Sequence, residues 1–217
     1  MRKFLLYIAL FLVSFCITFV YTFPIDRIIS YYLSKNRISY SLVEGNIFNI
    51  RIKELSTGNF IFNKIDLINR FPKIEIMING VYTGYINIVR KRLHLSLNDF
   101  DLSSIQKNEN IQGTLKADHT VIFDREILID GKGRLFISKM KDIPISNIEI
   151  NYSTKKDDHK NEIHAELIGN ILNGHFKGEL YLPYNIKNGY IKGKFVGKIF
   201  NGKVNREIYL KFSDLKL

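Results

Sequence analysis

Residues 92–98 read Arg-Leu-His-Leu-Ser-Leu-Asn, and residues 73–79 read Lys-Ile-Glu-Ile-Met-Ile-Asn. An aliphatic side chain returns at every second position, as Leu93, Leu95 and Leu97 in one stretch and Ile74, Ile76 and Ile78 in the other. A period of two sends successive side chains to opposite faces of a strand, so each stretch has one apolar face. The alternation recurs outward in both directions. It appears earlier as Ile38, Tyr40, Leu42 and as Ile50, Ile52, and later as Leu135, Ile137, then Ile148, Ile150. It continues through Phe176, Leu180 and Leu182 to Ile208, Leu210 and Phe212. About a dozen strands follow, spaced roughly 10 to 15 residues apart.

No stretch beyond residue 37 carries a sustained helical stripe, which argues against βαβ units and a parallel sheet. The expected fold is mainly β: an antiparallel meander over residues 38–217 with one buried face, forming a curved open sheet or a sandwich. Its candidate core-facing or lipid-facing side chains are Ile74, Ile76, Ile78, Leu93, Leu95, Leu97, Leu135, Ile137, Ile148, Ile150, Leu180 and Leu182. Glycine phrases beginning at Gly113, Gly131, Gly174 and Gly189 read as hairpin turns feeding similar strands. The charged stretch from Lys155 to Asn161 reads as an exposed hairpin tip.

The N-terminus has a different character. Residues 1–3 are Met-Arg-Lys, and residues 4–23 then run from Phe4 to Phe23 without a charge. Twenty helical residues span about 30 Å, the thickness of a bilayer's hydrocarbon core. Tyr21, Thr22 and Phe23 stand where a signal peptidase needs small residues, so an uncleaved transmembrane anchor is expected. A three-residue tail before a long domain predicts a cytoplasmic N-terminus and an extracytoplasmic domain. Residues 24–37 continue as a short amphipathic helix, with Ile25, Ile28, Ile29, Tyr32 and Leu33 at helical spacing.

Hydrophobic residues make up 46% of the chain and charged residues 24%, a folding composition rather than a disordered one. The net charge of +11 is scattered along the strands, as on a solvated sheet face; the dense run is Arg90-Lys91-Arg92. Cys16, the single cysteine, lies in the apolar segment and has no second cysteine to pair with. If both lie on one strand, His159 and His164 fall on opposite faces, and with no cysteine nearby no zinc site is expected. Asp99 and Asp101 lack the glycine and distal glutamate of a calcium loop, and Asp101 or Ser103 suits the cap of a short turn. No nucleophile elbow, zinc-protease motif or phosphate loop is present. The expectation is a non-enzyme with no cofactor, no metal, no small-molecule substrate and no nucleic-acid partner.

The Phe23-Pro24 phrase leads into a short helix, then a strand pair around Val43–Ile52. Phe100-Asp101-Leu102-Ser103-Ser104-Ile105, Gly113-Thr114-Leu115 and Gly131-Lys132-Gly133-Arg134-Leu135 follow. In this order the chain resembles type II secretion system protein N (GspN), within the broader group of AsmA- and TamB-like envelope proteins. The resemblance implies a single-pass protein of the cell inner membrane with its C-terminal domain in the periplasm. It also implies a non-catalytic accessory role in type II secretion and protein transport, with envelope secretion-system proteins as partners. The alternative it implies is a lipid-binding or lipid-transfer protein of AsmA-like or lipopolysaccharide-transport type. The bilayer itself is the partner expected for residues 4–23.

Overall fold

The computed structural model describes residues 10–15, 18, 19, 22–58, 60–105, 111–141, 146–200 and 202–214. Thirteen strands run through it: β1 Leu42–Gly45, β2 Asn49–Thr57, β3 Phe60–Arg70, β4 Lys73–Ile78, β5 Val81–Asn87, β6 Arg92–Asp101 and β7 Ile111–Phe123. They continue as β8 Ile127–Met140, β9 Ser146–Asp157, β10 Lys160–Ile168, β11 Leu172–Tyr181, β12 Tyr190–Ile199 and β13 Gly202–Lys211. All are antiparallel, and their order in the sheet is their order in the sequence. The arrangement is therefore a single open meander and not a sandwich.

Register keeps the apolar positions on one face from edge to edge. Starting at Gly45, successive cross-strand partners are Ile50, Leu67, Ile76, Gly84, Leu95, His119, Gly131, Thr154, Ile163, Gly178, Gly193 and Ile208. Directly opposed residues share a face, so this row crosses all thirteen strands on the apolar side. The twelve aliphatic positions expected on that face are all half-buried or buried, with Ile137, Ile148 and Leu180 the most enclosed.

The glycine phrases are placed differently from expectation. Gly113, Gly131 and Gly174 lie inside β7, β8 and β11 instead of at hairpin turns, while Gly189 does precede β12. The reason is space: a Cβ on Gly131 would meet the Asp118 carbonyl oxygen and stand 2.6 Å from the His119 ring. Its φ of +153° is also one that side chains other than glycine rarely adopt.

Two elements cover the first part of the apolar face. Helix α1, Ile25–Lys35, begins directly after Pro24. Its Ile29 and Leu33 pack with Ile38 and Tyr40 on a core of Val43, Ile52 and Leu55. Its Ile28, Tyr31 and Tyr32 stay exposed. The short 3₁₀ turn Ser103–Ile105 folds back against β3, and the Asp101 carboxylate caps it by accepting from the Ser103 N–H at 2.9 Å.

Of the expected anchor, residues 4–9, 16, 17, 20 and 21 lie outside the described residues. Residues 10–15, 18, 19 and 22 are helical, and Phe11, Phe15 and Phe19 stack at four-residue spacing. Among the described residues no helix is long and apolar enough to cross a membrane.

At one end the sheet closes on itself. Regular β8–β9 pairing stops at Gly131 and Thr154, while the β9–β10 hairpin runs on to the Asp157–Lys160 pair at its tip. β8 instead meets the end of β11, with the Ile127 N–H donating to the Leu182 carbonyl at 2.8 Å. Asn161, fully buried, fills the gap. Its amide nitrogen donates to the Ile127 and Leu180 carbonyls, both at 3.1 Å, and its oxygen accepts from the Ile129 N–H. An unsatisfied buried polar group costs about 1–3 kcal/mol. Asn161→Ala, which strands three such groups, is expected to lower the unfolding free energy by roughly 3 kcal/mol. Chemical denaturation of the full chain in detergent measures this, and an unchanged midpoint would show that Asn161 does not hold the closure.

Candidate functional site: an apolar trough across six strands

Between the covered first strands and the open edge lies a stretch of apolar face over which none of the described residues forms a layer. Leu97, Ala117, Gly133, Tyr152, Ala165 and Phe176 stand directly opposite one another on β6 to β11. They line a cavity of about 890 Å³ that runs across the strands.

Side-chain size explains why the cavity is there. Ala117, Gly133 and Ala165 leave the floor low, and the larger rings lie down on glycines rather than standing up. A Cβ on Gly133 would be 2.5 Å from the Tyr152 ring. Phe176 covers Gly178 and Gly193, where added Cβ atoms would come within 2.8 and 2.6 Å of its Cζ. Phe195, next in the row, covers Gly174 and Gly197 in the same manner. Each ring thus packs on bare backbone and flattens the wall, which is how aromatic residues compensate for glycines inside strands.

A polar cluster adjoins the trough on the apolar face. His119 stacks on Tyr152 with ring centroids 5.4 Å apart, and its Nε2 is 3.2 Å from the Tyr152 hydroxyl. Its Nδ1 lies 3.5 Å from the Thr154 hydroxyl. Burial holds the His119 pKa below the ordinary 6.5, against the opposing pull of Asp118 and Asp130, and burial raises that of Tyr152. A neutral imidazole offers one donor and one acceptor, which suits two hydroxyl neighbours. Among the described residues no group of three or more His, Cys, Asp or Glu is placed to hold a metal ion.

The opposite face is polar. Lys132, Ser153, His164, Lys177 and Lys194 form an exposed row on it. Nearer the N-terminus Asp66 is buried between Arg51 and Lys64, each at 2.8 Å. Burial acts to raise its pKa, but the hydrogen bonds from Lys64 and Arg51 outweigh it and hold the carboxylate below its usual value.

Of the twelve expected face residues, Leu97 lines the cavity. Leu135 and Ile150 lie in the next row, opposite each other, and Ile137 and Ile148 pair one row beyond. Leu93 and Leu95 lie on β6 towards the closed end, with Leu180 on β11 and Leu182 just past it. Ile74, Ile76 and Ile78 share the face but sit on β4, away from the trough. Sequence reading has Phe176 in the apolar alternation but singles out neither it nor Tyr152 as a site residue, and it misses Ala117, Gly133, Ala165 and the His119 cluster. The available signal was a set of small residues at apolar-face positions beside aromatic ones.

Comparison of the chain with protein-family models, with characterised proteins and with solved structures finds no match.

The depressed His119 pKa has a pH consequence. The unfolded chain binds that proton more readily, so the contribution to stability is full above pH 6.5 and is lost as pH falls through the folded value. Denaturation midpoints of the full chain are expected to drop on acidification below about pH 6.5. His119→Gln is expected to reduce that slope, and an identical slope in the variant would assign the pH dependence to other groups.

Proposed function

We propose that this protein is a single-pass envelope protein whose periplasmic sheet binds an acyl chain of a lipid in the trough, without catalysing a reaction on it. The carrying observation is the uncovered apolar row from Leu97 to Phe176 and the cavity of about 890 Å³ above it. Small-molecule sites are concave and mostly apolar, with volumes of roughly 300–1,000 Å³. Six strands at about 4.8 Å spacing make the trough roughly 24 Å long, against about 15 Å for the chain length of one bilayer leaflet. An acyl chain supplies the apolar surface that the sheet lacks on this side. The Tyr152 hydroxyl, in the lining of the trough and held by His119 beneath it, suits hydrogen bonding to a carbonyl or hydroxyl at the polar end of such a molecule. The uncharged run 4–23 supports placement in the inner membrane.

A second reading, an accessory of the type II secretion machinery in the manner of GspN, is favoured by β13. This ten-residue strand ends the sheet order and is exposed along nearly its whole length. A long edge strand offers main-chain donors and acceptors to an added strand from a partner.

Photo-crosslinking in native membranes separates the two. Probes at Leu97, Ala165 and Phe176 are expected to give lipid adducts, and a probe at Lys155 on the opposite face, outside the cavity lining, is not. Absence of lipid at all three trough positions would sink the lipid reading. Discrete protein adducts from Asn205 on β13 would support the secretion reading.

A further inference from the structure

Three turns lie side by side at the end of the sheet where β8 meets β11. The Asn69 N–H, near the β3–β4 turn, donates to the Phe48 carbonyl in the β1–β2 turn at 2.7 Å. The Ile88 N–H, in the β5–β6 turn, donates to the Pro72 carbonyl of the β3–β4 turn at 3.1 Å. The Phe123 N–H, at the end of β7, donates to the Lys91 carbonyl at 3.0 Å and ties the group to the rest of the sheet. The β5–β6 turn is also fixed within itself, the Arg90 N–H donating to the Asn87 side-chain oxygen at 2.9 Å. These are ordered tips joined into one surface.

Their outermost side chains are apolar. Phe71 is 76% exposed, Val89 67%, Ile88 47% and Phe48 45%. Exposed cations flank them: Arg70 and Lys73 beside Phe71, and Arg90, Lys91 and Arg92 directly after Val89. Residues 46–49, 69–73 and 87–92 contain no Asp or Glu; Arg70 is paired with Glu75 of β4 at 3.5 Å, and the run Arg90-Lys91-Arg92 carries the main positive charge. Contiguous exposed apolar groups rimmed by one sign of charge mark an interaction surface.

We infer that this end of the sheet docks tip-first on a phospholipid bilayer surface carrying anionic headgroups, with Phe71, Ile88 and Val89 entering the interface and Arg70, Arg90, Lys91 and Arg92 at headgroup level. The layering decides for a bilayer over an acidic protein. Apolar side chains project singly from turn apices, with cations set beside them, and this matches the depth order of acyl region and headgroups. This surface belongs to the turns of β1 to β6, whereas the trough spans β6 to β11, so the inference stands apart from the proposed lipid site.

The test holds the full chain in phosphatidylcholine nanodiscs, which shield residues 4–23, and offers it separate vesicles. With Cys16→Ser as background, an environment-sensitive fluorophore is attached at Val89→Cys or Phe71→Cys, and at Thr57→Cys on the opposite end as control. Vesicles of phosphatidylglycerol and phosphatidylcholine with brominated chains are expected to blue-shift and quench the first two labels and leave the third unchanged. Arg90→Glu with Arg92→Glu is expected to weaken vesicle binding about tenfold or more. The milder Arg90→Gln with Arg92→Gln guards against a folding defect and is expected to weaken binding less. Unshifted labels at Val89 and Phe71 would overturn the inference. So would binding to pure phosphatidylcholine vesicles that charge reversal leaves unchanged, or capture of polyglutamate in place of vesicles, which would point to an acidic protein.

Discussion

An antiparallel sheet with one apolar face and no second layer must cover that face or leave it in water, where burial would have gained roughly 25 cal/mol for each Å². The structure follows from how this chain meets that demand. Over β1 to β3 the cover is protein: Ile29 and Leu33 of the N-terminal helix, with the Ser103–Ile105 turn laid on β3. At the far end of β8 the cover is closure, Ile127 bonded to Leu182 with Asn161 sealing the gap. Over the middle of β6 to β11 neither device operates, and the face remains a trough.

The strands and their facing were legible in the sequence because a period of two survives wherever one face is apolar and the other wet. Ile74, Ile76 and Ile78, and Leu93, Leu95 and Leu97, fall on the apolar side as their alternation requires. The glycines were misread for a physical reason. Glycine signals a turn when the chain must reverse, but Gly133, Gly178 and Gly193 are where a neighbouring ring occupies the place of a Cβ. That requirement comes from the partner across the strand, and no local pattern contains it. Asn161 is a similar case. Its partners Ile127, Ile129 and Leu180 are 19 to 34 residues away, so inside a charged hairpin tip it reads as solvated while the fold buries it completely.

Charge is distributed with the same asymmetry as hydrophobicity. The polar face spreads its lysines along exposed rows, where water screens them, and the buried carboxylate of Asp66 there is held by two cations. The turn apices at the closing end instead concentrate Arg70, Lys73, Arg90, Lys91 and Arg92 beside exposed Phe71 and Val89. Scattered charge keeps a sheet face soluble and resists edge-to-edge association, whereas charge gathered beside apolar tips acts as a recognition surface.

The composition of the trough floor is the last step in the argument. Ala117, Gly133 and Ala165 stand opposite Leu97, Tyr152 and Phe176 in positions where larger aliphatic side chains would bury more surface. Glycine inside a strand weakens it, and unfilled apolar volume costs stability in proportion to its size. A sheet shaped by stability alone would fill these positions with Val, Ile or Leu, as it does in the adjoining rows at Leu135, Ile137, Ile148 and Ile150. Small residues in the floor of the trough, with aromatic rings laid flat beside them, keep volume free where an apolar occupant would recover the burial that the protein itself forgoes.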